Sequence, residues 1–122
     1  MTKRILVVED QEDLRGILRD LLTSSGYEML EAADGQAGVD KAKAEKPDLI
    51  LMDIQMPVMN GYDATRQIKA NPELKPIPIV AVSSFAMKGD EEKARASGAD
   101  HYVTKPYSPM QLLKTVRSLL GE

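Results

Sequence analysis

Cysteine and tryptophan are absent, and phenylalanine occurs once. Without cysteine there is no disulfide framework, no thiolate nucleophile and no cysteine metal site. A reducing cytoplasm suits such a chain, and a cytoplasmic location is the expectation. With aromatic residues at 4%, the core must rest on Leu, Ile, Val, Ala and Met. An excess of one charge sign is also lacking: Lys plus Arg number 16 and Asp plus Glu 19, a net charge of -3. That balance carries no electrostatic footprint for nucleic acid or an anionic membrane. No apolar run approaches the roughly 20 residues of a membrane helix, and the one near the N-terminus is too short for a signal peptide. Repeats, linkers and low-complexity tracts are missing too. What remains is a chain of 122 residues, one ordinary domain able to bury a core unaided.

Apolar runs and helical spacings alternate along this chain. Lys3 to Val8 reads as a strand buried on both faces, ending on Glu9-Asp10. Leu14, Ile17, Leu18, Leu21 and Leu22 then recur at helical spacing and stop before Gly26. Tyr27 to Ala32 is a weaker strand, Asp34-Gly35 a turn, and Ala37 to Lys46 a helix that stops before Pro47. Leu49 to Asp53 is a strand, followed by a turn at Asn60-Gly61 and a helix over Tyr62 to Ala70. Ile77 to Val82 is the fourth strand. Asp90 to Ser97 is a charged helix with Asp90 as N-cap candidate and Gly98 as stop. Its only apolar anchors are Ala94 and Ala96, so it should be weakly held. His101 to Val103 is a short strand, and Pro109 to Leu120 an amphipathic helix. Five βα units in strict alternation predict an α/β fold with a five-stranded parallel sheet, doubly wound with helices on both faces.

In such sheets chemistry collects at the carboxyl ends of the strands. Glu9 and Asp10 end the first, Asp53 the third and Ser83-Ser84 the fourth, while Thr104-Lys105-Pro106 follow the fifth. Three carboxylates in one pocket repel one another unless a cation relieves them. Mg²⁺, a hard ion that binds a few carboxylates and keeps several waters, suits the set. Lys105 offers a point charge to phosphoryl oxygens and Ser83 a hydroxyl. An Asp carboxylate is itself a competent phosphoryl acceptor.

The segments VVED at 7–10, LMDIQMPVMNG at 51–61, AVSS at 81–84 and YVTKP at 102–106 resemble the response-regulator receiver domains of two-component signalling. The resemblance runs from Arg4 to Leu120 and is strongest to single-domain receivers of the chemotaxis and cell-division type. It implies a flavodoxin-like sheet of strand order 2-1-3-4-5, with residues 1–122 as a single receiver domain lacking an effector domain. It implies Asp53 as phosphoacceptor, Asp10 as direct Mg²⁺ ligand with Asp53 and the Gln55 backbone carbonyl, and Glu9 acting through metal-bound water. Ser83 matches the switch hydroxyl, Tyr102 the switch aromatic, and Lys105 the phosphate-pairing lysine, with a cis bond to Pro106. The phosphodonor would be a histidine kinase or histidine phosphotransfer protein. The output would pass to a further protein through the face of the fourth helix, fifth strand and fifth helix. A monomer or weak homodimer is expected, with no nucleic-acid or membrane partner. Apart from its own phosphotransfer and slow dephosphorylation, the domain is not expected to be an enzyme. Phe85, bulky and unable to orient water, leads us to expect a long phosphoryl lifetime that Phe85→Glu would shorten.

Plainer roles exist for each residue. Asp53 taken alone could form a turn, Glu9-Asp10 or Asp13 could cap the first helix, and Tyr102 could simply pack. Met52, Met56 and Met59 read as core and loop filler, and His101 as a surface residue. An aspartyl-phosphate phosphatase would want a second Asp where Gln55 stands. A flavin-binding domain would want a hydroxyl-rich loop where Glu9-Asp10-Gln11 would repel phosphate, and no nucleotide-binding glycine motif occurs. A receiver that only binds partners is the remaining alternative.

Overall fold

The computed structural model describes residues 2–84 and 88–122. Five strands alternate with five helices: β1 (Arg4–Val8), α1 (Glu12–Ser24), β2 (Glu28–Ala32), α2 (Gly35–Glu45), β3 (Leu49–Asp53), α3 (Gly61–Ala70), β4 (Ile79–Ser83), α4 (Lys88–Ser97), β5 (His101–Thr104) and α5 (Pro109–Leu119). All neighbouring strands pair in parallel, as the alternation of elements predicts, and their order is β2-β1-β3-β4-β5, as the resemblance implied. Order reverses at β1 and β3, so a crevice opens at their carboxyl ends.

Alternate residues of the central strands feed two cores. Ile5, Val7, Leu49, Leu51, Val80 and Val82 point to one face, against Leu18 and Leu22 of α1 and Leu112 and Val116 of α5. Leu6, Val8, Ile50, Met52 and Ile79 point to the other, against Val39 and Ala42 of α2 and Ala64 and Ile68 of α3. β1, β3 and β4 are covered on both sides, which is why they read as unbroken apolar runs rather than alternating ones. A third cluster of Ile54, Tyr62, Ala81, Ala94 and Ala99, with Tyr102 against it, lies under α4.

Element ends differ from the sequence expectation for local reasons. β4 begins at Ile79, not Ile77: Pro78 has no N–H, and the Ile77 N–H is turned back to Leu74 O at 3.0 Å. The residues after α3 form a turn that buries Leu74 in the second core. α4 begins at Lys88, so Asp90 lies in its first turn, where an acid favours the helix dipole, and is not the cap. Ala96 is exposed; Ala94 and Ser97 are the buried side chains described in α4. His101, read as a surface residue, is half-buried. Asp34 and Asn60, read as turn residues, are N-caps that accept from Ala37 N and Asp63 N. Gly98 ends α4 at φ 112, a conformation that L side chains adopt only under strain. Among the described residues no helix is long and apolar enough to cross a membrane.

Candidate functional site

Sheet register assembles the site. Val8 pairs with Met52, so continuing that pairing by one residue sets Glu9 beside Asp53 on the α1/α5 side. Both are charged groups in an almost dry position, each 4% exposed. The lining beneath them is apolar, with Val7, Leu18, Leu51, Val82 and Leu112. Lys105, two residues beyond Val103 on β5, reaches the same pocket. Its ammonium donates to Glu9 Oε1 at 2.9 Å and stands 3.3 Å from Asp53 Oδ1. The second contact is an ion pair without hydrogen-bond alignment, and it leaves Asp53 Oδ1 buried with no hydrogen-bond partner among the described residues. Burial opposes the Lys105 charge, but the Glu9 hydrogen bond and the Asp53 charge outweigh it, so its pKa is raised.

Glu9 is held from several directions. Its Oε2 accepts from Gln11 N at 3.1 Å, and its backbone carbonyl accepts from Arg15 Nη1 at 2.6 Å. The capping role considered for Glu9-Asp10 and Asp13 is not taken up: Gln11 is the N-cap, without a side-chain cap bond. Asp10 lies at the exposed rim, yet loss of water on its pocket side, then the Glu9 hydrogen bond and charge, raise its pKa. Oxygens of Glu9, Asp10 and Asp53 all lie within 4.8 Å of one another. The orphaned Asp53 oxygen and this all-carboxylate donor set fit a hard divalent cation.

Gly61 draws the loop after β3 tight. A Cβ there would stand 2.2 Å from the Asp53 carbonyl oxygen, so only glycine permits α3 to start this close to the strand end. On the opposite side of the sheet lie Ser83 and Tyr102. Ser83 is fully buried, and its Oγ accepts from Gln55 Nε2 at 2.8 Å. Tyr102 is half-buried against the cluster under α4. The Lys105–Pro106 peptide is cis, as the resemblance implied. Phe85 and the lifetime expectation attached to it lie outside the described residues.

Register therefore splits the sequence-derived residues into two groups: Glu9, Asp10, Asp53 and Lys105 in the acidic pocket, and Ser83, Tyr102 and Gln55 beside it. Sequence reasoning missed Arg15, whose guanidinium braces Glu9 and pairs with Glu31 at 3.2 Å. It also missed Tyr62, whose ring lies under Lys93 Nζ at 4.8 Å and ties α3 to α4. Neither carried a signal in the linear sequence.

The model of the response regulator receiver domain family matches residues 5–117. The chain belongs to that family. A curated relative, the polar-differentiation response regulator DivK of Brucella ovis, is 44% identical over 122 residues, covering 100% of this chain and 99% of the relative. Among solved structures, the receiver domain of the sensor histidine kinase PA1611 from Pseudomonas aeruginosa superposes with a TM-score of 0.92 at 34% identity, covering 100% of both chains. That structure holds a magnesium ion coordinated in its active site cleft. The chemotaxis response regulator CheY4 of Vibrio cholerae gives a TM-score of 0.92 at 29% identity, over 98% of this chain and 99% of that one. The receiver fold is flavodoxin-like, and this receiver acts in two-component signalling.

Proposed function

We propose that this receiver is a phosphorylation-dependent switch in which Asp53 takes a phosphoryl group from a phosphohistidine of a histidine kinase or phosphotransfer protein. The observation that carries the reading is the buried Asp53 carboxylate, with an orphaned oxygen, 3.3 Å from the Lys105 ammonium. An Asp53 oxygen attacks phosphorus in line; the new O–P bond forms as the P–N bond breaks, and the imidazole keeps the electron pair. Lys105 exchanges part of its pairing with Glu9 for the phosphoryl oxygens, and the Ser83 hydroxyl donates to another. Asp10, Asp53 and the Gln55 backbone carbonyl would hold Mg²⁺ directly, with Glu9 acting through a bound water. The bound cation supplies neutralisation of the phosphoryl charge. As Ser83 shifts, Tyr102 turns inward and the α4–β5–α5 face changes for a protein partner. The thin anchoring of α4, where Ala94 and Ser97 are the buried side chains described, supports a low cost for that movement.

The test is transfer of radiolabel from a phosphorylated histidine phosphotransfer domain, with Mg²⁺ or with EDTA. Label moving to the wild-type chain in Mg²⁺ but not to Asp53→Asn supports the reading. A chain that binds the donor without taking label is a binding module only.

A further inference from the structure

The Glu9 backbone continues the β1–β2 pairing by one bond: its N–H donates to Ala32 O at 3.0 Å. In a parallel ladder the carbonyl of such a residue accepts the next N–H along the neighbouring strand. β2 ends at Ala32 and the chain turns into α2, so the ladder stops there. The Glu9 carbonyl accepts from Arg15 Nη1 instead, at 2.6 Å. A carbonyl beside a desolvated pocket is costly to leave unbonded, and a guanidinium is among the strongest donors it can meet.

Arg15 lies in the first turn of α1, with its side chain 16% exposed. Its guanidinium acts as a fork. Nη1 holds the Glu9 carbonyl, and Nε donates to Glu31 Oε1 at 3.2 Å. Glu31 stands one residue before the end of β2 and takes further bonds from Arg19 Nε and Nη2. The guanidinium is therefore gripped from β1 and β2 at once, which fixes its plane. The consequence falls on Asp10. The Glu9 carbonyl belongs to the planar peptide that joins Glu9 to Asp10, so the Arg15 bond sets the direction in which the Asp10 side chain leaves the backbone. Asp10 is exposed at the rim, yet its carboxylate lies within 4.8 Å of those of Glu9 and Asp53.

We propose that Arg15 is a positioning residue for the acidic cluster: its guanidinium, locked by Glu31, fixes the Glu9–Asp10 peptide so that the three carboxylates suit Mg²⁺ in preference to Ca²⁺. The proposal rests on the reading of that cluster as a divalent-cation site. Mg²⁺ demands short bonds in near-octahedral geometry, whereas Ca²⁺ accepts longer bonds and irregular ligand sets. A loosened Asp10 therefore harms Mg²⁺ binding more than Ca²⁺ binding. Charge alone gives the opposite sign: Arg15 is a cation near three carboxylates, so its loss by itself would tighten either ion.

The experiment titrates Mg²⁺ and Ca²⁺ separately, by calorimetry, into wild type, Arg15→Met, Arg15→Lys, Glu31→Gln and Arg19→Met. Arg15→Met is expected to weaken Mg²⁺ binding roughly 10-fold, as loss of a group that orients a metal ligand does, and Ca²⁺ binding by less than about 3-fold. Arg15→Lys keeps the charge but not the fork, and loses most of the same discrimination. Glu31→Gln frees the guanidinium and lowers the Mg²⁺-to-Ca²⁺ affinity ratio by about 2- to 3-fold. Arg19→Met removes the same charge from the same cluster, leaves the Glu9 bond in place, and keeps the ratio within about 2-fold of wild type. Arg15→Lys and Glu31→Gln carry the test if Arg15→Met does not fold. Mg²⁺ binding in the Arg15 and Glu31 variants as tight as in wild type, an equal loss for both ions, or the same loss of discrimination in Arg19→Met overturns the proposal while the cation site stands. A wild-type chain that binds neither ion overturns both.

Discussion

Replacing Lys105 with methionine keeps the apolar stem and removes the ammonium that pairs with Glu9 and Asp53. The pair distances are 2.9 and 3.3 Å, and the two carboxylates are each 4% exposed. Removing one partner of a buried ion pair costs about 3–5 kcal/mol, because the other charge stays desolvated. Here the Lys105 side chain is 19% exposed, which sets the expected cost near the lower bound, about 3 kcal/mol at neutral pH. With a urea slope of about 2 kcal/mol per molar, the unfolding midpoint falls by roughly 1.5 M. Millimolar Mg²⁺ recovers much of that loss, since a ligand that binds only the folded state stabilises it. The raised pKa of Lys105 gives the pH sign: its contribution is complete below the ordinary lysine value of 10.5 and fades as pH rises through the higher native value. Urea denaturation followed by circular dichroism at pH 7, with and without Mg²⁺, is the assay. A midpoint shift below about 0.3 M would refute the reasoning, because it would make the triad a solvent-screened surface pair.

Other perturbations act away from the pocket. Glu31 pairs with Arg19 at 2.5 Å and Arg15 at 3.2 Å, and its pKa is lowered from 4.5, first by the Arg19 hydrogen bond. Glu31→Gln should therefore cost about 1 kcal/mol at pH 7, and the deficit should vanish as pH falls through the lowered native value, read from urea midpoints across pH. The Thr65 hydroxyl is fully buried with no hydrogen-bond partner among the described residues, so Thr65→Val should raise the melting temperature by roughly 3–5 °C. Val58 is a β-branched residue at φ 68, 83% exposed in the loop after β3. Val58→Gly should stabilise by about 0.5–1 kcal/mol in thermal unfolding, as relief of the left-handed strain exceeds the added chain entropy.

Strands were the legible part of this fold, because residues buried on both faces leave unbroken runs such as Leu49 to Met52. The site was legible for a related reason: Glu9, Asp53, Ser83 and Lys105 each sit where an apolar run stops. Caps were half legible. Asp34 and Asn60 marked a boundary, but nothing in the chain distinguished a turn from a side chain accepting a helix N–H. Leu74 escaped because a lone apolar residue in a turn has no periodicity to read. Ile77 was drawn into a strand by its β-branched neighbours, and Pro78 prevents it from joining the ladder. Gln55 was read for its backbone carbonyl, whereas its side chain meets Ser83 and Ser84 across 28 and 29 residues, a contact that only the sheet order creates.

The most direct test of the central claim is intact mass after incubation with acetyl phosphate, with and without Mg²⁺, for wild type and Asp53→Asn. Wild type is expected to gain one phosphoryl group, a gain that needs Mg²⁺ and is lost in Asp53→Asn. A gain that survives the substitution, or no gain in wild type with Mg²⁺, would contradict the assignment of Asp53 as the phosphoacceptor.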